Sequence, residues 1–328
     1  MLTRRTMLKT TTGLLLTAAF SPFLNGVARA NAPAASKQAP GYYRIMVGDY
    51  EVTCLSDGTI DLPMTDLYQG LAKEEIEAYL AGHYQSVPTT TSVNAFLVNT
   101  GERLILIDAG SSDLMGPTLG KLPANLQAAG YSVDQVDDII LTHIHPDHSG
   151  GLVLHGQPVF PNAVVHANQR EFQFWLNGGA AASGHTLSAE IGQAEAAISP
   201  YRQEGRFSTF ADNSAPVPGL KSVLRGGHTP GHSAIVVESR NDTIVFWGDI
   251  VHGDYLQYDN PDVTFAADID QAQGAVSRLA AFTEAAERQY IIGAAHHAFP
   301  GVGRVRQDET NFDWVPLAYS SGLQAPTT

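Results

Sequence analysis

The chain has 328 residues, 44% of them hydrophobic and 31 of them glycine, which is enough to bury a large core in one or two domains. Acidic residues outnumber basic ones 33 to 19, a net charge of −14 that repels phosphate backbones and argues against a nucleic-acid partner. The single cysteine excludes an intrachain disulfide, and the chain contains neither a G-x-S-x-G nucleophile motif nor a Gly-rich phosphate loop.

Residues 1–30 read as an export signal. Arg4 and Arg5 are adjacent, a modestly apolar stretch follows at 14–24, and Ala28-Arg29-Ala30 supplies a small-x-small cleavage site. Pro22, Asn25 and Gly26 interrupt an apolar run already too short to cross a bilayer, so no stable membrane anchor is expected. Paired arginines predict the twin-arginine route, which exports folded proteins. The expectation is a periplasmic protein whose single mature domain is 31–328. Removing residues 1–30 takes away four of the 19 basic residues and none of the 33 acids, leaving a charge of −18.

Along the mature chain, short apolar runs alternate with amphipathic stretches. Residues 51–55 read as strand, with Cys54 a small buried hydrophobe rather than a nucleophile. Further strands are expected at 93–99, 104–107, 139–141, 164–165, 235–238, 244–247 and 291–292, and helices at 73–84, 117–129, 169–177 and 271–290. Residues 178–184, rich in Gly, Ala and Ser, read as a mobile loop. Pattern alone supports an α/β or α+β class and nothing finer.

Ligand chemistry collects at the strand ends. Directly after 139–141 come His143, His145, Asp147 and His148, four residues of metal-ligating type in six positions. Imidazole nitrogen and carboxylate oxygen together suit zinc or a neighbouring first-row metal. Alternate side chains of extended chain share a face, so His143 and His145 can grip one ion. Pro146 fixes its own φ and biases His145 toward extended geometry; the chain then turns and presents Asp147 and His148 in another direction, toward a second ion. A polar loop with accidental histidines would not concentrate ligands in this way. His228 and His232 lie in a Gly-rich turn, and one of them is expected as a third ligand to the first metal. The apolar run 243–247 ends in Gly248-Asp249, a carboxylate placed to bridge two cations. Another apolar run, 291–295, ends in His296 and His297.

His143, His145, Asp147 and His148 match the H-x-H-x-D-H motif of the metallo-β-lactamase superfamily, which the chain resembles, and Asp108 matches that family's upstream acidic motif. Carried over residue by residue, the resemblance implies that His143, His145 and His228 hold one metal and Asp147, His148 and His296 the other, with Asp249 as the bridge. It gives Asp108 and His232 the role of orienting ligands from behind. It also implies the αββα sandwich, two facing mixed β-sheets with helices outside. Segments 38–44, 55–59, 91–95, 116–120, 293–303 and 314–316 resemble the methyl parathion hydrolase branch, so the resemblance covers about residues 38–320.

The implied chemistry is hydrolysis at two divalent cations, most simply Zn2+, with Mn2+, Co2+ and Fe2+ as alternatives. Ions about 3.5–4 Å apart lower the pKa of a bridging water toward about 7 and polarise a carbonyl or phosphoryl oxygen, so no protein nucleophile is required. Asp249, holding the pair, and Asp147, accepting a hydrogen bond from the bridging hydroxide, are the expected catalytic carboxylates. Leu67, Met115, Trp175, His252, Tyr255, Leu256, Phe265 and Ala267 are the expected pocket walls. In the resembling branch positions 115 and 252 carry Phe and Leu, so Met115 and His252 make this pocket more polar and less aromatic. The expected enzyme hydrolyses lactones and aryl esters, with organophosphate triesters as further small-molecule substrates. A periplasmic β-lactamase is the alternative enzyme, and a metal-binding scaffold is the non-enzymatic alternative. A glutathione-thioester hydrolase fits less well, because export separates it from a cytosolic substrate. The resemblance is compatible with a homodimer, although no interface is legible in the sequence.

Overall fold

Strand-forming residues dominate two stretches of the chain, and each stretch builds a sheet. The computed structural model describes residues 33–184 and 187–323, and its secondary structure lies within the unit Ala39–Thr328. The export signal expected at 1–30 lies outside the described residues. The first sheet comprises β1 (Tyr42–Val47), β2 (Tyr50–Leu62), β3 (Thr89–Asn99), β4 (Leu104–Ile107), β5 (Asp138–Ile140), β6 (Val164–Asn168) and β7 (Phe207–Phe210), neighbours in space in chain order. Antiparallel pairing links β1 to β4, and parallel pairing links β4 to β7. The second sheet comprises β8 (Leu220–Leu224), β9 (Ser233–Ser239), β10 (Asp242–Phe246), β11 (Ile291–Gly293), β12 (Val302–Asp308) and β13 (Asn311–Pro316). Only its β10–β11 pair is parallel, joined by the crossover helix Gln271–Arg288.

Period-two alternation decides the layers. Phe96 and Val98 of β3 share a core with Ile105, Ile107 and Ile140, and with Ile235, Val237, Ile244 and Phe246 of the second sheet. The sheets therefore face one another across apolar side chains. Ala95 and Leu97, pointing the other way, pack with Leu122 and Leu126 of the helix Leu122–Ala128 and with Ala197 and Ile198 of the helix Ser188–Gln203. On the far side, Val236, Val245 and Ile292 are covered by Ala281, Phe282 and Ala285 of Gln271–Arg288. Each large side chain so buried contributes about 1.5–3 kcal/mol. The result is the αββα sandwich of two mixed sheets. Cys54 is free and buried in the central layer, where burial pushes its thiol far above the ordinary range and leaves it unreactive.

Two expectations are corrected, and one helix lies where none was read. The helix predicted over 117–129 begins only at Leu122. The buried carboxylate of Asp57 accepts the backbone N–H groups of Ser111, Gly120 and Leu122, tying this stretch into a loop before the helix starts. Residues 178–184, expected as a loop, contain a helical turn, Gly179–Ala182, entered through Gly178 in the left-handed region. Ser188–Gln203 was not expected as a helix, yet its buried residues Ala194, Ala197, Ile198 and Tyr201 follow the i, i+3, i+4, i+7 spacing that marks one. Alanine weakens that stripe as a sequence signal.

Candidate metal centre

The ligand-type residues sit on loops that follow strand ends, and hydrogen bonds behind each loop aim them. After β5, Thr142 is clamped by Asp108: its N–H donates to Oδ1 at 2.8 Å and its hydroxyl to Oδ2 at 2.9 Å. The same hydroxyl accepts from His143 Nδ1 at 3.1 Å, which leaves His143 Nε2 to face inward. His145 is extended, with φ −84° and ψ 160°, and Pro146 opens the helical turn Pro146–Ser149 that carries Asp147 and His148. This is the change of direction that the proline predicts. His148 Nδ1 donates to Asp108 Oδ2 at 2.8 Å, His228 Nδ1 to Asp268 Oδ1 at 2.8 Å, and His296 Nδ1 to the Ser92 carbonyl at 3.0 Å. In all four pairings the outer nitrogen donates, which turns Nε2 inward as the atom that would bind a cation once its own proton is displaced.

Two groups result. His143 Nε2 lies 3.0 Å from His145 Nδ1, which lies 2.9 Å from His228 Nε2. Asp249 Oδ2 completes this group, 3.3 Å from His228 and 3.8 Å from His143. The second group is Asp147, His148 and His296, with Asp147 Oδ2 3.6 Å and 3.4 Å from the two imidazoles. Asp249 Oδ1 turns to it, 2.9 Å from His148 Nε2 and 3.1 Å from His296 Nε2. One carboxylate thus offers an oxygen to each group. His232 holds that carboxylate's backbone: its Nε2 accepts the Asp249 N–H at 2.9 Å while its Nδ1 donates to the Arg225 carbonyl at 3.1 Å.

Lone pairs converging this closely repel unless a cation lies among them. His148 Nε2 and Asp249 Oδ1 are buried and lack hydrogen-bond partners, although they lie 2.9 Å apart. The donor set, nitrogen with carboxylate oxygen, is that of a zinc-type site. Charge agrees with geometry. Burial, together with neighbouring imidazoles, holds His143 and His145 well below the ordinary histidine range, so both are neutral and ready to bind. Burial opposes ionisation of Asp249, but His148, His296, His143 and His228 outweigh it and hold the carboxyl well below its usual range. Burial also lowers His228, yet Asp249 and Asp268 more than offset this and raise it to about 9.

The structure brings all seven sequence-predicted ligands together and places Asp108 and His232 behind them. A cavity of about 550 Å³ opens onto the cluster, lined by Leu67, Met115, Trp175, His252, Phe265 and Ala267 among others. Tyr255 and Leu256, also expected there, are elsewhere. Tyr255 is 41% exposed and stacks on His83, and Leu256 is buried with Met64, Tyr68 and Ile76. Position in the loop after β10 did not reveal which side chains turn inward.

Sequence reasoning missed Asp268 and Glu171. Asp268 orients His228 from a loop about forty residues away, and no local motif marks it. Glu171 is fully buried: its Oε2 accepts the Ile144 N–H and the Trp175 indole N–H, both at 3.0 Å, and its Oε1 accepts the Gly231 N–H at 2.7 Å. It staples the His143–His145 loop to the His228 loop and to a pocket wall. A Glu within a short helical segment carries no sequence signal for that role. His297, beside His296, stays outside the cluster, with its Nε2 2.7 Å from the Tyr258 hydroxyl.

The metallo-beta-lactamase superfamily model matches residues 88–286, more than half of the chain. The chain belongs to this superfamily. Among solved structures, hydrolase AbOPH of the beta lactamase superfamily is 36% identical with a TM-score of 0.83, covering 87% of this chain and 100% of that one. AidC, a dizinc quorum-quenching lactonase in complex with the product N-hexanoyl-L-homoserine, is 26% identical with a TM-score of 0.78, covering 86% and 99%. Beta-lactamase-like protein 2 homolog of Drosophila melanogaster is 27% identical over 183 residues, 53% of this chain and 52% of that protein. The chain thus spans about half the length of that curated relative, and 56% of the probable metallo-hydrolase Rv2300c of Mycobacterium tuberculosis. These similarities fit the ligand geometry of a superfamily whose motif the chain carries in full.

Proposed function

We propose that this protein is a binuclear metal-dependent hydrolase of lactones and aryl esters that also accepts organophosphate triesters, as the methyl parathion hydrolase-like sequence segments suggest. The observation that carries the reading is Asp249, whose two oxygens face two separate histidine groups at the floor of one cavity. His143, His145 and His228 would hold one divalent cation, Asp147, His148 and His296 the other, and Asp249 both. Bound there, two such ions supply an acidified water and Lewis acidity toward a carbonyl or phosphoryl oxygen.

The chain's own residues do the rest. Asp147, 16% exposed and lining the cavity, is placed to take a proton from attacking water and return it to the departing alcohol oxygen. Trp175, Phe265, Met115 and Leu67 form apolar walls that hold an acyl or aryl group and exclude water. His252 forms wall and donor at once: its ring stacks on Phe265 at 3.7 Å with 6° between planes, and its Nε2 lies 3.2 Å from Asp249 Oδ2. Burial lowers its pKa to about 4, so the neutral ring spends its single N–H on Asp249. A β-lactam carries a carboxylate that needs a cationic partner, and neither Lys nor Arg is among the described residues lining this cavity. The periplasmic proposal rests on the signal read in residues 1–30: the adjacent Arg4 and Arg5, the apolar stretch at 14–24 and Ala28-Arg29-Ala30.

The test compares kcat/KM for dihydrocoumarin, methyl paraoxon and nitrocefin on zinc-loaded protein, before and after chelation, in wild type and His252→Leu. We expect loss of activity on chelation, dihydrocoumarin as the best substrate, and about a tenfold rise in the paraoxon-to-lactone ratio in His252→Leu, the scale of one altered pocket contact. Nitrocefin turnover above the other two would favour the β-lactamase reading. Full activity after verified metal removal would end the metal-hydrolase reading.

A further inference from the structure

We propose that Glu190 is a charge filter at this site, which selects uncharged substrates and speeds departure of the carboxylate product. The proposal rests on the ester- and lactone-hydrolase reading above. Glu190 and Gln193 stand one turn apart on the helix Ser188–Gln203, both half-buried, and line the same cavity as Asp147 and His145. Among the described residues Glu190 has neither an ion-pair nor a hydrogen-bond partner, so its charge is directed at whatever occupies the cavity mouth.

The local balance makes that charge decisive. Two divalent cations would meet four carboxylates, Asp249 and Asp147 as ligands and Asp108 and Asp268 directly behind them. The centre is then close to neutral. Arg278, the nearby cation, is buried, 3.8 Å from Asp268, and donates to the carbonyls of Ile250, Pro261 and Val263 rather than lining the cavity. Among the described residues Glu190 is therefore left uncompensated. In ester or lactone hydrolysis the acyl carbon exchanges its bond to the alcohol oxygen for one to the oxygen of water. The departing alcohol oxygen takes one proton, and the new carboxylic acid ionises at neutral pH. The substrate is uncharged and the product anionic, so a fixed negative charge at the mouth leaves the first untouched and repels the second. Like charges roughly 7 Å apart in a half-solvated mouth, at an effective dielectric near 40, shift affinity about sevenfold.

The experiment measures the kcat/KM ratio of 4-nitrophenyl butyrate to mono-4-nitrophenyl succinate in zinc-loaded wild type, Glu190→Gln and Glu190→Lys. In the same proteins, calorimetry gives the Kd of 3-(2-hydroxyphenyl)propanoate, the product of dihydrocoumarin. We expect the neutral-to-anionic ratio to fall about sevenfold in Glu190→Gln and further in Glu190→Lys, and the product Kd to tighten in the same order. Both effects should shrink in 1 M salt, where the screening length is about 3 Å. The same ratio and the same Kd in all three proteins would overturn the proposal. If wild type cleaves neither ester, the hydrolase reading fails instead, and the calorimetric Kd still decides whether Glu190 repels a carboxylate.

Discussion

Replacing Glu171 by Gln tests whether the two ligand loops are held by a single buried carboxylate. Its two oxygens accept three N–H groups, from Ile144, Trp175 and Gly231. An amide has one oxygen and one NH2, so in either orientation at least one buried donor confronts another donor. An unsatisfied buried donor costs about 1–3 kcal/mol. In a domain of this size about 2 kcal/mol corresponds to a fall in Tm of roughly 3 °C. The metal site should lose more than the fold, because Ile144 lies between two ligand histidines and Gly231 three residues after His228. Disturbing such supporting contacts weakens metal binding about 10–100-fold. Differential scanning fluorimetry gives the first quantity, and competition for zinc against a chromophoric chelator gives the second. An unchanged Tm together with unchanged zinc affinity would show that Glu171 does not staple the loops.

Two further outcomes follow from the same geometry. In the metal-free protein His228 is raised to about 9 and so holds a proton at pH 7 that zinc must displace, and Asp249 and its carboxylate neighbours raise His148 and His296 as well. Zinc affinity should therefore climb with pH up to about 9, whereas the stabilisation of the metal-free fold by His228, complete below its ordinary value of 6.5, is lost as pH rises through about 9. Zinc calorimetry in buffers of different ionisation enthalpy counts the protons released, and none released at pH 7 would contradict the assignment. Gly227 has φ +130°, and a Cβ there would lie 2.2 Å from the Gly274 backbone nitrogen. Gly227→Ala should destabilise the fold by about 3 kcal/mol or more and displace His228, lowering zinc stoichiometry; two zinc ions per chain with an unchanged melting curve would refute this.

The candidate donors and their clustering at strand ends were legible in the chain alone. Four ligand-type residues in six positions after β5 pointed to a metal site, and the proline among them pointed to two directions, because both readings follow from local backbone geometry. Short continuous apolar runs such as β4, buried on both faces, were legible because a strand inside the sandwich has no polar side to show. Tertiary structure alone decided what stands behind the ligands. Asp268 reaches His228, Ser92 reaches His296 and Glu171 spans two loops through contacts 27 to 204 residues apart in sequence. Such partners have no fixed spacing, since folding rather than the local chain brings them together. The same limit applies to the pocket, where Tyr255 and Leu256 belong to the expected stretch but turn to other surroundings. Which side chain faces a cavity depends on the packing of elements remote in sequence, and that is settled only when the two sheets close on one another.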